Sequence, residues 1–353
     1  MELLRALHDD ARSRLPEAVH DYFAGGAGDE QTLADNEAAW RALWLVPRVL
    51  TGVAAADPRI TLLGRDLAAP VLLAPVAAQR LLHPDGEVAT ARAAATAGVV
   101  SCLSTRATAD LAEVAAAAPG GERWFQLYMG EDRGHVAAVL RRAREHGYTH
   151  VVLTADLPVP GRRERERRHG PVPFPAGVTL ATHLGGAHPL AAKPPVGGWQ
   201  ALTWADVAWT ASAADLPVIV KGILDPGDAR RAVDAGAAAV VVSNHGGRQL
   251  DGSLPTAVAL PAVVAAVAGA VPVLVDGGIR DGGDVVRALA LGASAVLVGR
   301  PYLWGLACGG EEGVGRVLAA LVEDTVRAMT LVGAAAVADL GPALVRARPP
   351  APS

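Results

Sequence analysis

The sequence predicts a (β/α)8 barrel, and three observations support this fold class. Eight short segments rich in valine, leucine and isoleucine recur along the 353 residues, each followed by an alanine-rich stretch with helical spacing. Several of these stretches end in an Ala-Gly or Leu-Gly pair just before the next apolar segment, where glycine suits a helix C-terminus. Polar side chains also stand at the end of nearly every apolar segment, where barrels of this class gather their active sites.

The eight apolar segments are continuous rather than alternating, as in strands buried on both faces of a parallel sheet. The predicted strands are 70–75, 98–104, 124–128, 150–156, 217–223, 238–245, 272–278 and 294–300. The predicted helices are 87–97, 109–118, 135–146, 203–213, 227–235, 260–268, 283–291 and 311–332. The barrel therefore covers residues 70–332 of a single domain, 1–353.

Three parts of the chain lie outside this repeat. Residues 1–69 form an N-terminal extension, helical at first and irregular afterwards. The connection 157–202 is rich in proline and glycine, and a connection of this length is usually functional. Within it, the mixed charges of "GRRERERRHG" (161–170) predict a solvated loop. Residues 345–353 are predicted to be a disordered tail.

Composition argues against several classes of function. The formal net charge is −4, which gives no indication of a nucleic-acid partner. No apolar run approaches the roughly 20 residues of a membrane span, and the first residues lack the apolar core of a signal peptide. Cys102 and Cys308 have no metal-ligand spacing. We therefore expect a cytoplasmic protein with reduced cysteines and no metal site.

The strand ends predict a pocket lined with polar groups. They supply Ala74, Pro75, Ser104, Thr105, Gln126, Tyr128, Thr154, Asp156, Lys221, Ser243, Asn244, His245, Asp276, Gly277, Gly278, Gly299 and Arg300. Buried lysines are rare without a partner, and Gly246 and Gly247 allow a ligand close to the backbone beside His245. Lys221 and His245 are therefore predicted to act in the pocket. Tyr128 alone would suggest a packing aromatic.

The last two strand ends predict a phosphate site. They read "DGGIRDGGD" (276–284) and "GRP" (299–301), and the loops after strands 7 and 8 bind phosphate in many barrels. Glycines let backbone N–H groups approach an anion, and Arg280 and Arg300 supply charge. Together the two segments indicate a phosphate-bearing ligand.

With these residues, the chain resembles the FMN-dependent 2-hydroxy acid oxidases and dehydrogenases, a family that includes glycolate oxidases, lactate oxidases and mandelate dehydrogenases. The similarity runs from "DYFAGGAGDE" (21–30) to about residue 333 and centres on "SNHGGRQLDG" (243–252). It is greatest to bacterial hydroxymandelate oxidases, through "LAPVAAQRLLHPDGE" (73–87), "VKGIL" (220–224) and "LVDGGIR" (274–280). The resemblance implies an FMN cofactor and a homo-oligomer, commonly a tetramer.

The resemblance also implies a role for each site residue. His245 would be the base that starts oxidation at the substrate α-carbon, Asp156 would orient it, and Tyr128 would bond the substrate hydroxyl. Lys221 would lie against the flavin N1–O2 edge. The substrate carboxylate would be held by Tyr22, Arg163 and Arg248. The other implied FMN contacts are Pro75, Val76, Ala77, Ser104, Gln126, Thr154, Ser243, Asp276, Gly277, Gly278, Arg280, Gly299 and Arg300.

Departures from the family pattern bear on the substrate. Arg106 stands where glycolate oxidases usually have tryptophan, and Ala78 stands where methionine or tyrosine is common. Leu157 and Val159 replace polar residues. The substrate pocket is therefore expected to be wider than that of glycolate oxidases, which favours an (S)-mandelate-type acid over glycolate. Arg106 would either enter this pocket, adding a positive charge, or point to solvent, as most arginines do.

The reaction implied is oxidation of an (S)-2-hydroxy acid to the 2-oxo acid, with O2 as acceptor and H2O2 as product. A dehydrogenase that passes electrons to a quinone or a protein is an alternative, and so is a non-redox FMN barrel isomerase. A flavin-free aldolase or synthase could use Lys221 as a Schiff-base amine. A non-catalytic flavoprotein is disfavoured, because no implied catalytic position is substituted. Hydride transfer and a carbanion route both stay open.

Overall fold

The N-terminal extension wraps against the barrel as helices and short strands. The computed structural model describes residues 2–170, 172, 174–180 and 201–349. The extension consists of α1 (Glu2–Arg14), α2 (Glu17–Ala24), α3 (Gln31–Arg41), β1 (Leu43–Leu45), β2 (Ile60–Leu62) and β3 (Arg65–Leu67). The hairpin of β2 and β3 buries Leu62 and Leu67 against residues inside the barrel. It closes the end of the barrel at which the strands begin.

Eight parallel strands form a closed barrel, which confirms the predicted fold class. They are β4 (Val71–Leu73), β5 (Ser101–Ser104), β6 (Arg123–Leu127), β7 (His150–Thr154), β8 (Val218–Ile223), β9 (Ala239–Val242), β10 (Val273–Val275) and β11 (Ala295–Val298). Each overlaps its predicted segment. The register pairs Ser104 with Gln126 and Thr154 with Lys221, so the polar strand ends lie at one level.

Each predicted helix overlaps a helix of the structure, and Glu164–His169 is a helix that the sequence did not predict. The helices that surround the barrel are α4 (Gly86–Thr96), α5 (Leu111–Ala117), α6 (Arg133–Glu145), α7 (Glu164–His169), α8 (Ala205–Ala214), α9 (Pro226–Asp234), α10 (Thr256–Val267), α11 (Gly282–Ala290) and α12 (Arg300–Leu331). The predicted last helix, 311–332, corresponds to the part of α12 that follows non-helical backbone at Gly309 and Gly310. The sequence pattern missed the first part of α12, residues 300–308, because the interruption separates it from the longer second part.

Two other expectations are corrected. The segment 161–170 is not wholly a loop, because Glu164–His169 forms α7; its acidic residues lie in the first turn and its basic residues in the last, as the helix dipole favours. The tail is not disordered from residue 345, because Val345–Ala347 forms β12, which pairs with β1. Residues 350–353 of the predicted tail and residues 181–200 of the long connection lie outside the described residues.

Two apolar layers hold the barrel together. Strand residues such as Leu72, Val241 and Leu274 fill its interior. The alternate strand residues, among them Val151 and Val240, pack outward against the helices. In the described part of the chain, no helix has the length and apolar character that crossing a membrane requires.

Candidate active site

A cavity of about 880 Å³ opens at the carboxyl ends of the barrel strands. Most of the predicted site residues line it: Tyr22, Pro75, Val76, Ala77, Arg106, Gln126, Tyr128, Thr154, Arg163, Lys221, His245, Arg248, Asp276, Gly277, Gly278, Arg280, Gly299 and Arg300. Six predicted residues are buried or half-buried outside this lining: Ala78, Ser104, Thr105, Asp156, Ser243 and Asn244. The predicted strand ends thus converge on one cavity.

His245 and Asp156 form a half-buried pair, in which His245 lines the cavity and Asp156 lies behind it. His245 Nδ1 lies 3.0 Å from Asp156 Oδ1, and His245 Nε2 lies 3.3 Å from the Tyr128 hydroxyl. Burial lowers the pKa of His245 although Asp156 opposes the effect. Burial would raise the pKa of Asp156, but His245 and Lys221 outweigh it and lower that pKa. A neutral imidazole beside an ionised carboxylate donates from Nδ1, which leaves Nε2 free to accept a proton.

The backbone after β9 holds His245 in place. His245, Gly246 and Gly247 all have positive φ, at 59°, 64° and 74°. A Cβ on Gly247 would lie 2.8 Å from the backbone nitrogen of Leu33, so only glycine fits against the N-terminal extension. The side-chain amides of Asn36 and Asn244 also bond each other reciprocally, at 2.9 and 2.7 Å. The extension therefore fixes the turn that carries His245.

Lys221 is a buried cation at the end of β8. Its Nζ donates to Ser243 Oγ at 2.8 Å and lies 3.0 Å from Asp276 Oδ2. Burial alone would lower the pKa of Lys221, but Asp276 and Asp156 outweigh burial and raise it. Lys221 therefore stays protonated. A bulge follows it at Gly222, where a Cβ would lie 2.6 Å from the Asp156 Cβ. The glycine lets the lysine and the histidine–aspartate pair share one site.

Two arginines form a cationic anchor beside His245. Arg248 Nη1 donates to the carbonyls of Tyr22 and Gly25, both at 2.8 Å, and its guanidinium lies 5.5 Å from the Tyr22 ring centroid. Arg163 Nε donates to the Arg248 carbonyl at 3.1 Å. Glu166 Oε1 contacts Arg248 Nη2 at 3.0 Å and Arg163 Nη1 at 3.4 Å. Such a pair of guanidinium forks suits a carboxylate ligand.

The glycine-rich loops after β10 and β11 form the far end of the cavity. A Cβ on Gly278 would lie 2.2 Å from the Asn36 carbonyl oxygen, so this close packing requires glycine. Arg300 begins α12 and donates to the carbonyls of Phe23, Gly246 and Gly25. Arg280 Nε donates to Glu37 Oε1 at 3.0 Å. A helix N-terminus beside two arginines is suited to a phosphate group.

The polar groups between these two ends fit an FMN isoalloxazine and ribityl chain. Gln126 Nε2 donates to Thr154 Oγ1 at 2.9 Å, and Gln126 Oε1 accepts from Ser104 Oγ at 3.0 Å. Among the described residues, Asp276 Oδ1 is buried without a hydrogen-bond partner on the cavity wall. A buried carboxylate oxygen needs a donor, and a ribityl hydroxyl of FMN would supply one.

The residues predicted to shape the substrate side-chain pocket fall in different places. Arg106, Leu157 and Val159 line the cavity. Ala78 does not, because it is fully buried and its backbone nitrogen donates to the Arg106 carbonyl at 3.1 Å. Ala78 therefore supports Arg106 rather than forming the wall itself.

Sequence reasoning missed three residues that organise the site. Glu166 lies in the charged stretch 161–170, for which the sequence predicts a solvated loop. Alternating charges directly after a strand end could have indicated that Glu166 pairs with Arg163 and Arg248. Gln249 bonds four groups of the connection after β7: Asp156 O, Val159 O, Gly161 N and Arg163 Nη2. Asn36 carried no signal, because its partner Asn244 lies 208 residues away.

Comparisons with known proteins agree with this geometry. A family model described as FMN-dependent dehydrogenase matches residues 11–347. The chain is 46% identical over 343 residues to an L-lactate oxidase of Nostoc sp., with 94% of each chain covered. It is likewise 46% identical over 341 residues to a 4-hydroxymandelate oxidase of Amycolatopsis orientalis, again with 94% coverage of each. A glycolate oxidase of Spinacia oleracea is 43% identical over 332 residues, 92% of this chain and 89% of that protein.

Solved structures give the same result. A mandelate oxidase with (S)-4-hydroxymandelic acid is 45% identical, with a TM-score of 0.90 over 95% of this chain and 96% of that one. A second mandelate oxidase structure is 46% identical, with a TM-score of 0.89 over 95% of each chain. The fold, the converging strand ends and these similarities together show that the chain belongs to the FMN-dependent dehydrogenase family and uses FMN as its cofactor.

Proposed function

We propose that this protein oxidises an (S)-2-hydroxy acid to the 2-oxo acid. The proposal rests on two neighbouring groups at the cavity. One is a pair of arginines that can bind a carboxylate, and the other is a histidine that can act as a base. Arg163 donates to the Arg248 carbonyl, and Glu166 pairs with both guanidinium groups. His245 Nε2 lies beside the Tyr128 hydroxyl. A 2-hydroxy acid presents its carboxylate and its hydroxyl on adjacent carbons, which matches this pair of neighbouring sites.

Each residue has a defined task in this proposal. Arg163 and Arg248 bind the substrate carboxylate and orient the α-carbon. Burial raises the pKa of the Tyr128 phenol, so it stays a neutral hydrogen-bond donor or acceptor for the substrate hydroxyl. His245 Nε2 accepts a proton from the substrate, and Asp156 stabilises the imidazolium that results. FMN, when bound, supplies the electron sink.

The substrate side chain should be bulky. Leu157 is buried and Val159 is exposed at the cavity, so both offer apolar surface beside the catalytic group. Three relatives are named for lactate, 4-hydroxymandelate and glycolate. We propose an (S)-mandelate-type acid over glycolate, with a graded preference, because one apolar contact in such a pocket contributes only about 1–3 kcal/mol.

O2 is the proposed electron acceptor, supported by relatives that are all named oxidases. The test follows 2-oxo acid and H2O2 together during turnover of mandelate, lactate and glycolate in air. Equal amounts of the two products support the oxidase, and the ranking of kcat/KM tests the pocket. Turnover that needs an added quinone would instead make the protein a dehydrogenase, and glycolate as the best substrate would refute the bulky pocket.

A homotetramer is the proposed assembly. Trp44, Val49, Leu50 and Leu331 are large apolar side chains that are exposed on this chain. The segment 44–51 reaches the end of α12, since Thr51 side-chain atoms lie within 3 Å of where a Cβ on Gly333 would be. Exposed apolar groups gathered in this way favour burial against another subunit.

A further inference from the structure

Arg106 differs from the other cations of the cavity wall in its pairing. Glu164 pairs with Arg162 and Arg167, and Glu166 pairs with Arg163 and Arg248. Glu37 pairs with Arg280, and Asp276 pairs with Lys221. Arg300 donates to three backbone carbonyls. Across the described ranges 2–180 and 201–349, apart from 171 and 173, no carboxylate or carbonyl oxygen pairs with the Arg106 guanidinium.

The backbone of Arg106 is nevertheless fixed. Its nitrogen donates to Ser104 Oγ at 3.1 Å, and its carbonyl accepts from the Ala78 nitrogen at 3.1 Å. Burial raises the pKa of Tyr128, and the Arg106 charge is one of those that oppose this rise. The backbone therefore fixes the position of Arg106 on the cavity wall, close enough for its charge to act on the Tyr128 phenol.

A half-buried guanidinium gains most from an ionised partner that reaches it with little competition from water. Of the described carboxylates on the wall, Glu166 contacts the anchor and Asp276 contacts Lys221. The excess of cations attracts anionic ligands into the cavity. A substrate whose first carboxylate binds Arg163 and Arg248 would leave Arg106 available for a second anionic group.

We propose that Arg106 binds a second carboxylate at the far end of a substrate side chain, so that the enzyme prefers 2-hydroxy dicarboxylic acids to apolar 2-hydroxy acids of the same shape. Leu157 and Val159 would contact the carbons between the two acid groups. This inference rests on the 2-hydroxy acid oxidation proposed above and adds side chains that end in an anion to the bulky ones that the pocket accepts.

The test compares diacids with apolar analogues of the same shape. The two pairs are (S)-malate with (S)-2-hydroxy-4-methylpentanoate, and (S)-2-hydroxyglutarate with (S)-2-hydroxy-5-methylhexanoate. Anaerobic flavin reduction gives a second-order rate constant for each acid. In the unmodified holoenzyme, at least one diacid should exceed its analogue by about 10- to 100-fold, the range expected for a charge-assisted hydrogen bond. Arg106→Met should abolish that ratio, and Arg106→Lys should retain part of it.

Arg162→Met is the matched control, because it removes a positive charge from the same cavity but from an exposed guanidinium that Glu164 already pairs. This variant should keep the diacid preference within about twofold. The inference is overturned if the analogues react as fast as both diacids, or if the two methionine variants change the ratio equally. Failure of the underlying function looks different, since then neither diacids nor their analogues would reduce the flavin.

Discussion

At the scale of single residues, the reactivity of His245 comes from its surroundings. Burial lowers its pKa, Asp156 orients it, and the left-handed backbone at φ 59° points it into the cavity. A non-glycine residue in this region is uncommon and is retained where the surrounding structure holds it. The glycines that follow it and the Asn36–Asn244 pair supply that support.

Replacing His245 with alanine removes the proposed proton acceptor and leaves Lys221 and Gln126, which we propose contact FMN, intact. We expect FMN to remain bound and anaerobic flavin reduction to slow by at least ~10²-fold, a usual contribution of a positioned base. Stopped-flow absorbance measures this rate. Reduction at the unmodified rate would remove His245 from the mechanism.

The pH dependence of kcat/KM should report the His245 base. The pKa of His245 is lowered below the ordinary 6.5, so the neutral imidazole persists below that pH. As the pH is lowered, kcat/KM should therefore decrease only below 6.5, and this decrease is the acid limb of the profile. Asp156 raises the His245 pKa, so Asp156→Asn should move this limb to lower pH and slow reduction by about 10²-fold. A limb that moves to higher pH in this variant would contradict the assigned interaction.

At the scale of elements, the barrel strands were predictable because their apolar runs are continuous and local. The first part of α12, residues 300–308, was not predictable, because non-helical backbone at Gly309 and Gly310 interrupts the helical spacing of the apolar residues. The site residues at strand ends were likewise predictable from their positions. Glu166 and Gln249 were not, because their importance lies in contacts with Arg163 and the rest of the connection after β7, which only the fold brings together.

Gln249 should act as a positioning residue for that connection. Gln249→Ala removes its bonds to Asp156 O, Gly161 N and Arg163 Nη2 and so loosens the carboxylate anchor. We expect KM to rise about 10-fold, with a smaller change in kcat and unchanged FMN content. Leu250→Ala, at an exposed neighbour, is the control. An equal rise in KM in both variants would show a general loop effect instead.

At the scale of the whole molecule, the N-terminal extension and the barrel form one functional unit. The extension supplies Tyr22 to the cavity wall, backbone carbonyls to Arg248 and Arg300, and Asn36 to the turn before His245. Without the extension, Arg248, Arg300 and Asn244 would lose these hydrogen-bond partners. A buried polar group that is left unpaired costs about 1–3 kcal/mol. Catalysis therefore depends on residues far apart in the chain.

The exposed apolar residues make a prediction about assembly. Light scattering should give about four times the subunit mass of 36.0 kDa. Leu50→Glu combined with Leu331→Glu should lower that mass, because charges on an apolar contact oppose its burial. A monomer in the unmodified protein would rule out the proposed tetramer. An unchanged tetramer in the double variant would place its interface elsewhere.

The most direct test of the central claim is the absorbance of the bound flavin when (S)-mandelate is added without air and air is then admitted. The arrangement of His245, Tyr128, Arg163 and Arg248 around the cavity predicts that the flavin bleaches, that benzoylformate forms in equal amount, and that the colour returns with air. The same experiment with lactate and glycolate covers smaller acids. A flavin that none of the three acids bleaches would contradict the account.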